Sequence, residues 1–292
     1  MTDVKLDLEL AQQSLVFIFA SMVVYTVSFL IFAWHLTNIA SNKGSGKVIS
    51  TKLENIGFAL FGFGALIHGA GVVMRGIAAS RVPWANMYEF SISGALTILT
   101  VYLISLRVRD VRYVATFITG FTLITLFAAV SLFYVEVKTL MPALQSYWLV
   151  IHVMVAILAV GFFSVAAGFH IFYLIKDAGW GKAIMDKFPN LKQLERIAYR
   201  FNMVGFVAWS FTLIAGAIWA ERAWHRYWGW DTKEVWTFII WVLYAGYLHA
   251  MATRGWAGKR AAWLGLVGFG AVIFNFVVVN LFFKGLHVYS GL

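Results

Sequence analysis

Between Trp219 and Trp236 the chain places five of its 13 tryptophans: Trp219, Trp224, Trp228, Trp230 and Trp236. They alternate with Glu221, Arg222, Arg226, Asp231, Lys233 and Glu234. A flat apolar ligand that also carries charge calls for this mixture. Rings cover its faces, and Arg or Lys meets its acidic groups. An interfacial aromatic belt is the competing explanation, but a belt alone rarely sets so many charges among so many tryptophans. Asp231 also reads as the N-cap of a following helix, with Glu234 three residues on as in a capping box. Part of the run therefore serves geometry.

Histidine supplies the remaining chemistry. His152 falls about one and a half turns inside one end of an apolar segment, and His287 lies just beyond the end of another. Both come to the level of the tryptophan run. Two neutral imidazoles facing each other across a pocket are axial ligands for a haem iron. His68 and His249 lie within apolar segments, where an ionisable group usually faces a cavity or a partner. Their depths differ by roughly 10 Å from the helix rise. A second, intramembrane ligand pair and two separately hydrogen-bonded histidines both fit that spacing. His35 and His170 read as interfacial, and His225 sits inside the tryptophan run.

The elements that must carry these residues are apolar helices. The sequence is 61% hydrophobic and only 12% charged. A spanning helix needs roughly 20 mostly apolar residues. Eight such windows are predicted, at about 13–34, 56–75, 88–106, 113–133, 147–174, 202–220, 235–253 and 261–284. Strand-like alternation is missing, so the fold class is all-α, a polytopic membrane protein read as one transmembrane domain over 1–292. Residues 219–236 form the connection between helices 6 and 7. The polar stretch near 175–201 reads as a short interfacial or soluble helix. Asn86 with Glu89 reads as a helix start in the loop before helix 3.

Loop charge sets the orientation. The loops 1–2, 3–4, 5–6 and 7–8 hold 15 of the 23 Lys and Arg residues. The positive-inside rule places them in the cytoplasm, so both termini and the tryptophan run lie outside. The net charge of +10 is mostly this asymmetry facing anionic lipid, not a nucleic-acid footprint. The sequence holds no cysteine, so the chain by itself has no thiol chemistry. Acidic residues are missing from the middle of the predicted spans, which argues against an ion-coupled transporter. Nucleotide-binding and hydrolase signatures are missing too.

The run Trp224-His-Arg-Tyr-Trp-Gly-Trp-Asp-Thr-Lys-Glu-Val-Trp236 resembles the WWD signature of the cytochrome c assembly family of haem-handling membrane proteins. Leu144-Gln-Ser-Tyr-Trp-Leu-Val-Ile-His-Val153 is similar to that family's first external-histidine motif. Gly285-Leu-His287 is similar to its second, and Asn86-Met-Tyr-Glu89 to its outer-loop motif. The eight-helix count resembles the CcsA (ResC) branch, part of cytochrome c biogenesis system II. Three positions depart from the family pattern: His225 stands where Gly is usual, and Thr232 and Tyr147 where Pro is. The resemblance implies that His152 and His287 ligate an external haem and that His68 and His249 ligate an intramembrane one. Trp224, Trp228, Trp230, Asp231 and Trp236 would form the shelf.

It also implies haem b as bound substrate, covalent attachment of haem to apocytochrome c, and a CcsB/ResB-type membrane partner. The setting would be a bacterial inner membrane or a thylakoid, with the working face extracytoplasmic. Two other classes fit the composition. One is a b-type electron-transfer subunit, although His152 and His170 are spaced roughly 27 Å apart along one helix, a poor fit to two haems served by one helix. The other is a haem exporter with no role in attachment.

Overall fold

The structure is a computed structural model that describes residues 6–41, 51–140, 144–253 and 255–286. The elements are α1 (Leu8–Ser41), α2 (Thr51–Ala78), α3 (Met87–Val108), α4 (Ala115–Leu132), α5 (Tyr147–Asp177) and α6 (Lys182–Met185). They continue with α7 (Leu191–Trp224), α8 (Thr232–Ala252), α9 (Lys259–Phe274) and α10 (Asn280–Phe282). A single π turn, Asn275–Val279, joins α9 to α10. The described residues contain no strand. Eight helical segments are long and apolar enough to cross a membrane, as the hydropathy windows predict. Large aliphatic side chains such as Leu30 and Leu66 are exposed, as lipid contact requires.

The helices overrun the predicted windows. Both α1 and α7 have 34 residues, roughly 51 Å of rise against a hydrocarbon layer of about 30 Å. Hydropathy marks only the lipid-length portion, and polar turns continue the helix on either side. The stretch expected to hold one short helix near 175–201 instead contributes the end of α5, the four-residue α6 and the first three turns of α7. Asn190 and Gln193 start α7 as a complete capping box.

A seven-residue pattern pairs α1 with α2. Ala11, Ile18, Tyr25 and Phe32 are buried on α1, with Ser14, Ser21 and Ser28 between them. Gly57, Gly64 and Gly71 are buried on α2. Ser14 Oγ donates to the Gly71 carbonyl at 2.7 Å and Ser28 Oγ to the Gly57 carbonyl at 2.9 Å. Tyr25 lies flat on Gly64, where a Cβ would come within 2.7 Å of its ring. Close backbone approach is how helices associate where lipid removes the hydrophobic drive.

The rest of the bundle surrounds α5. This helix packs on α7, α3 and α9, while α8 packs on α9 and α7. Phe163 of α5 stacks on Tyr244 of α8 with centroids 3.7 Å apart. Toward the end where α3, α5 and α8 begin, the helices diverge and leave a cavity.

Candidate ligand cavity

The cavity is about 480 Å³, within the range of small-molecule and cofactor sites. Six helices wall it: α3, α4, α5, α7, α8 and α9. Its deep part is apolar, with Ile98, Phe121, Leu213 and Phe269. Its mouth holds Trp84 and Asn86, then His152, Trp219, Tyr227, Trp228, Lys233 and Glu234. Three sequence signals thus meet at one place: the first external-histidine motif, the outer-loop motif and the tryptophan run.

His152 lies in the second turn of α5. Its Nδ1 is 2.9 Å from the Thr212 carbonyl of α7. A carbonyl only accepts, so Nδ1 carries the proton and Nε2 carries the lone pair. That is how metal-binding histidines are oriented by their surroundings. Gly216, one turn on from Thr212, makes the contact possible, since a Cβ there would sit 2.7 Å from the imidazole Cε1. Trp219 stacks on the imidazole, with centroids 6.1 Å apart and planes 20° from parallel. Trp224 in turn meets Trp219 edge-on at 4.8 Å.

The tryptophan run is not a single loop. Trp219 and Trp224 belong to α7, Trp236 belongs to α8, and residues 225–231 connect them. His225 ends α7 in the left-handed conformation, φ 56°. That is the C′ position at which helices favour glycine. Trp230 is also left-handed, φ 60°, and is 73% exposed. Trp228 lines the cavity and meets Trp230 edge-on at 5.9 Å. Trp236 packs on Phe274 at 4.2 Å, in the apolar core between α8 and α9. Asp231 caps α8, accepting from the Lys233 and Glu234 amides at 2.7 and 3.1 Å, and Glu234 returns to the Asp231 amide at 3.2 Å. Glu234 also accepts from Gly229 at 2.7 Å. The predicted capping box is complete, and it holds the connection closed.

The loop between α2 and α3 is fixed by buried charge. Glu89 accepts from Arg75 at 3.1 Å and from Arg81 at 2.5 and 3.0 Å. Arg75 reaches the Val135 carbonyl at 2.8 Å and lies over the Tyr88 ring. Both Arg75 and Glu89 are fully buried. Asn86 caps α3 through Glu89 N at 2.9 Å, as predicted. The Glu89 side chain turns to the Ala85 amide, so the reciprocal half of a capping box is not made with Asn86. The result is a rigid rim carrying Trp84, Ala85 and Asn86 at the cavity mouth.

The other histidines lie elsewhere. His68 is fully buried on the α1–α2 seam. Its Nε2 meets the Ile92 carbonyl at 3.0 Å and its Nδ1 the Tyr25 hydroxyl at 3.4 Å. His249 is exposed near the end of α8. α2 packs on α1 and α3, whereas α8 packs on α7 and α9. His170, read from sequence as interfacial, is buried: its Nε2 is 2.8 Å from Asn202 Nδ2, over Gly265. The interfacial reading fails because α5 continues seven residues past His170 to Asp177. His287 lies outside the described residues. Gly285 packs against the Asp231 carboxylate, where a Cβ would come within 2.9 Å of Oδ2.

Sequence reasoning passed over Thr212, Asn275 and Asn280. Thr212 contributes only a main-chain carbonyl, which carries no side-chain signal. The two asparagines had one: they are the polar residues of an otherwise apolar final span.

Fold and cavity together define a polytopic helical membrane protein with an aromatic-rimmed cavity at one end of the bundle. Residues 84–287 match the Cytochrome C assembly protein family. The chain belongs to that family. It is 32% identical to the cytochrome c biogenesis protein CcsA of Trieres chinensis, over 93% of each chain. It is also 32% identical to the CcsA of Synechococcus elongatus, over 82% of this chain and 88% of that one. Among solved structures it is similar to the cytochrome c haem lyase CcmF, with a TM-score of 0.64 and 14% identity, over 89% of this chain. The chain spans about half the length of that structure.

Proposed function

We propose that the chain handles haem for the biogenesis of c-type cytochromes, holding haem b in this cavity as substrate for attachment to apocytochrome c. The family membership and the names of the relatives support the pathway. The observation that carries the site is His152: an imidazole on the cavity wall, proton on Nδ1, lone pair on Nε2. His287 is the second ligand in this reading, and the close approach of Gly285 to Asp231 brings the chain preceding it to the same end of the bundle. Trp219 and Trp228 supply flat apolar walls. Residues 219–236 form an extracytoplasmic face, as the loop charges imply, within one transmembrane domain over 1–292.

The chemistry asked of this chain is positioning. Each thioether forms when a Cys S–H of the apocytochrome adds across a haem vinyl group, sulfur to one carbon and hydrogen to the other. No net redox change occurs and the cysteines belong to the partner, consistent with a chain that has none. Holding the haem by one edge while the vinyl edge faces the peptide converts a bimolecular encounter into an oriented one. A CcsB/ResB-type subunit completes the assembly in this reading. The His68 and His249 pair enters as a second site through the family resemblance; the outer cavity stands without it.

The test is the visible spectrum of the purified chain. His152→Ala loses the haem absorption, and added imidazole restores it. Unchanged haem content in the variant would remove His152 from the ligand set.

A further inference from the structure

The cavity has one polar corner, and it is built rather than incidental. Lys233 Nζ lies 2.8 Å from the Asn275 carbonyl and 2.8 Å from Asn280 Oδ1. Asn275 opens the π turn, and π turns inside helices occur often at functional sites. Asn280 closes the frame by donating to the Phe276 carbonyl at 2.7 Å. An ammonium has three N–H donors and two are used here. Lys233, Asn275 and Asn280 all line the cavity.

Four further polar atoms on cavity-lining residues lack a partner among the described residues: Ser91 Oγ, Trp228 Nε1, Glu234 Oε1 and Asn275 Oδ1. Glu234 and Asn275 are more than nine-tenths buried. Buried polar groups are ordinarily bonded, so such a set points to something absent. Lys233 and Trp228 donate, and an acceptor-only group answers both. The two free acceptors are answered by water that a charged group brings with it. A carboxylate on a largely apolar ligand has this chemistry.

Building on the haem reading above, we propose that Lys233, braced by Asn275 and Asn280, is the anchor for a haem propionate. The anchor fixes which edge of the macrocycle enters the α8–α9 wall, and so leaves the opposite, vinyl-bearing edge to the peptide. Lys233 is a binding residue in this scheme and Asn280 a positioning residue.

The test compares haem with its dimethyl ester, in which both carboxylates are masked, by absorbance titration of the full chain in detergent. Wild type binds haem at least tenfold more tightly than the diester. Lys233→Met binds both alike, losing about tenfold for haem and little for the diester. Its diester binding doubles as the check that the cavity has formed. Lys233→Arg keeps most of the preference. Asn280→Leu gives an intermediate ratio and serves where Lys233→Met does not accumulate. Equal affinity of wild type for the two porphyrins, or an undiminished preference in Lys233→Met, overturns the anchor and leaves haem binding intact. Wild type that binds neither porphyrin overturns the haem reading itself.

Discussion

His152 of α5 hydrogen-bonds the Thr212 carbonyl of α7 at 2.9 Å, and the contact exists because residue 216 has no side chain. Gly216→Ala places a methyl group 2.7 Å from the imidazole Cε1, and Gly216→Val adds more bulk. Both variants displace the ring from its acceptor. The expected outcome is membrane insertion at wild-type level with haem content reduced about tenfold in Gly216→Val and less in Gly216→Ala. A misplaced ligand is penalised in this way when supporting contacts fix the geometry. Pyridine haemochrome content per chain reads it.

Glu89 sits between two arginines with no exposure of its own. Glu89→Gln leaves both guanidiniums without a counter-charge. Breaking a buried ion pair from one side costs about 3 kcal/mol or more. A large fall in melting temperature in detergent is expected. The Arg81–Asn86 rim should become cleavable by trypsin at Arg81, which gel analysis would show.

His225 holds a left-handed conformation at φ 56°. Non-glycine residues carry a penalty there of about 1 kcal/mol. His225→Gly is therefore expected to raise the melting temperature slightly while haem content stays the same. A fall in either quantity would mean that the imidazole makes a contact that outweighs its backbone strain.

His68 joins three helices through Tyr25 and Ile92. His68→Ala leaves the buried Tyr25 hydroxyl unpartnered, costing about 1–3 kcal/mol, and removes the bridge to the Ile92 carbonyl. A clear loss of thermal stability is expected. Counting haem per chain separates the two roles open to this residue. A ratio of two in wild type that falls to one in the variant would make His68 a ligand as well as a brace.

What the sequence made legible follows from which forces are local. Eight apolar windows mark eight helices because lipid demands length and hydropathy from each segment alone. Asp231 and Glu234 announce the start of α8 because a capping box spans four residues. The cavity was not legible, since six helices wall it and no window reports their divergence. Trp236 and Trp228 look alike in sequence, yet Trp236 packs on Phe274 and Trp228 lines the cavity. The difference is helical phase, which a hydrophobic ring does not encode. His170 misled because its depth depends on how far α5 continues, and Ile171–Ile175 carry the apolar helix on before Lys176 and Asp177. The α1–α2 seam went unread, because its signal is Ser and Gly at every seventh position, a pattern of small residues to which hydropathy is blind.

The π turn at Asn275–Val279 has a consequence for tolerance to insertion and deletion. A π turn accommodates one residue beyond the α-helical count, and each residue of an α-helix advances the chain about 100° around the axis. Deleting one residue between Asn275 and Val279 would let the last span close as uninterrupted α-helix. The wide turn whose Asn275 carbonyl meets Lys233 would then be lost, with Asn280 and Gly285 left near their present places and hydropathy unchanged. Length in this five-residue stretch is therefore under tighter constraint than composition. Val278→Ile should pass unnoticed where loss of Val278 would be disabling.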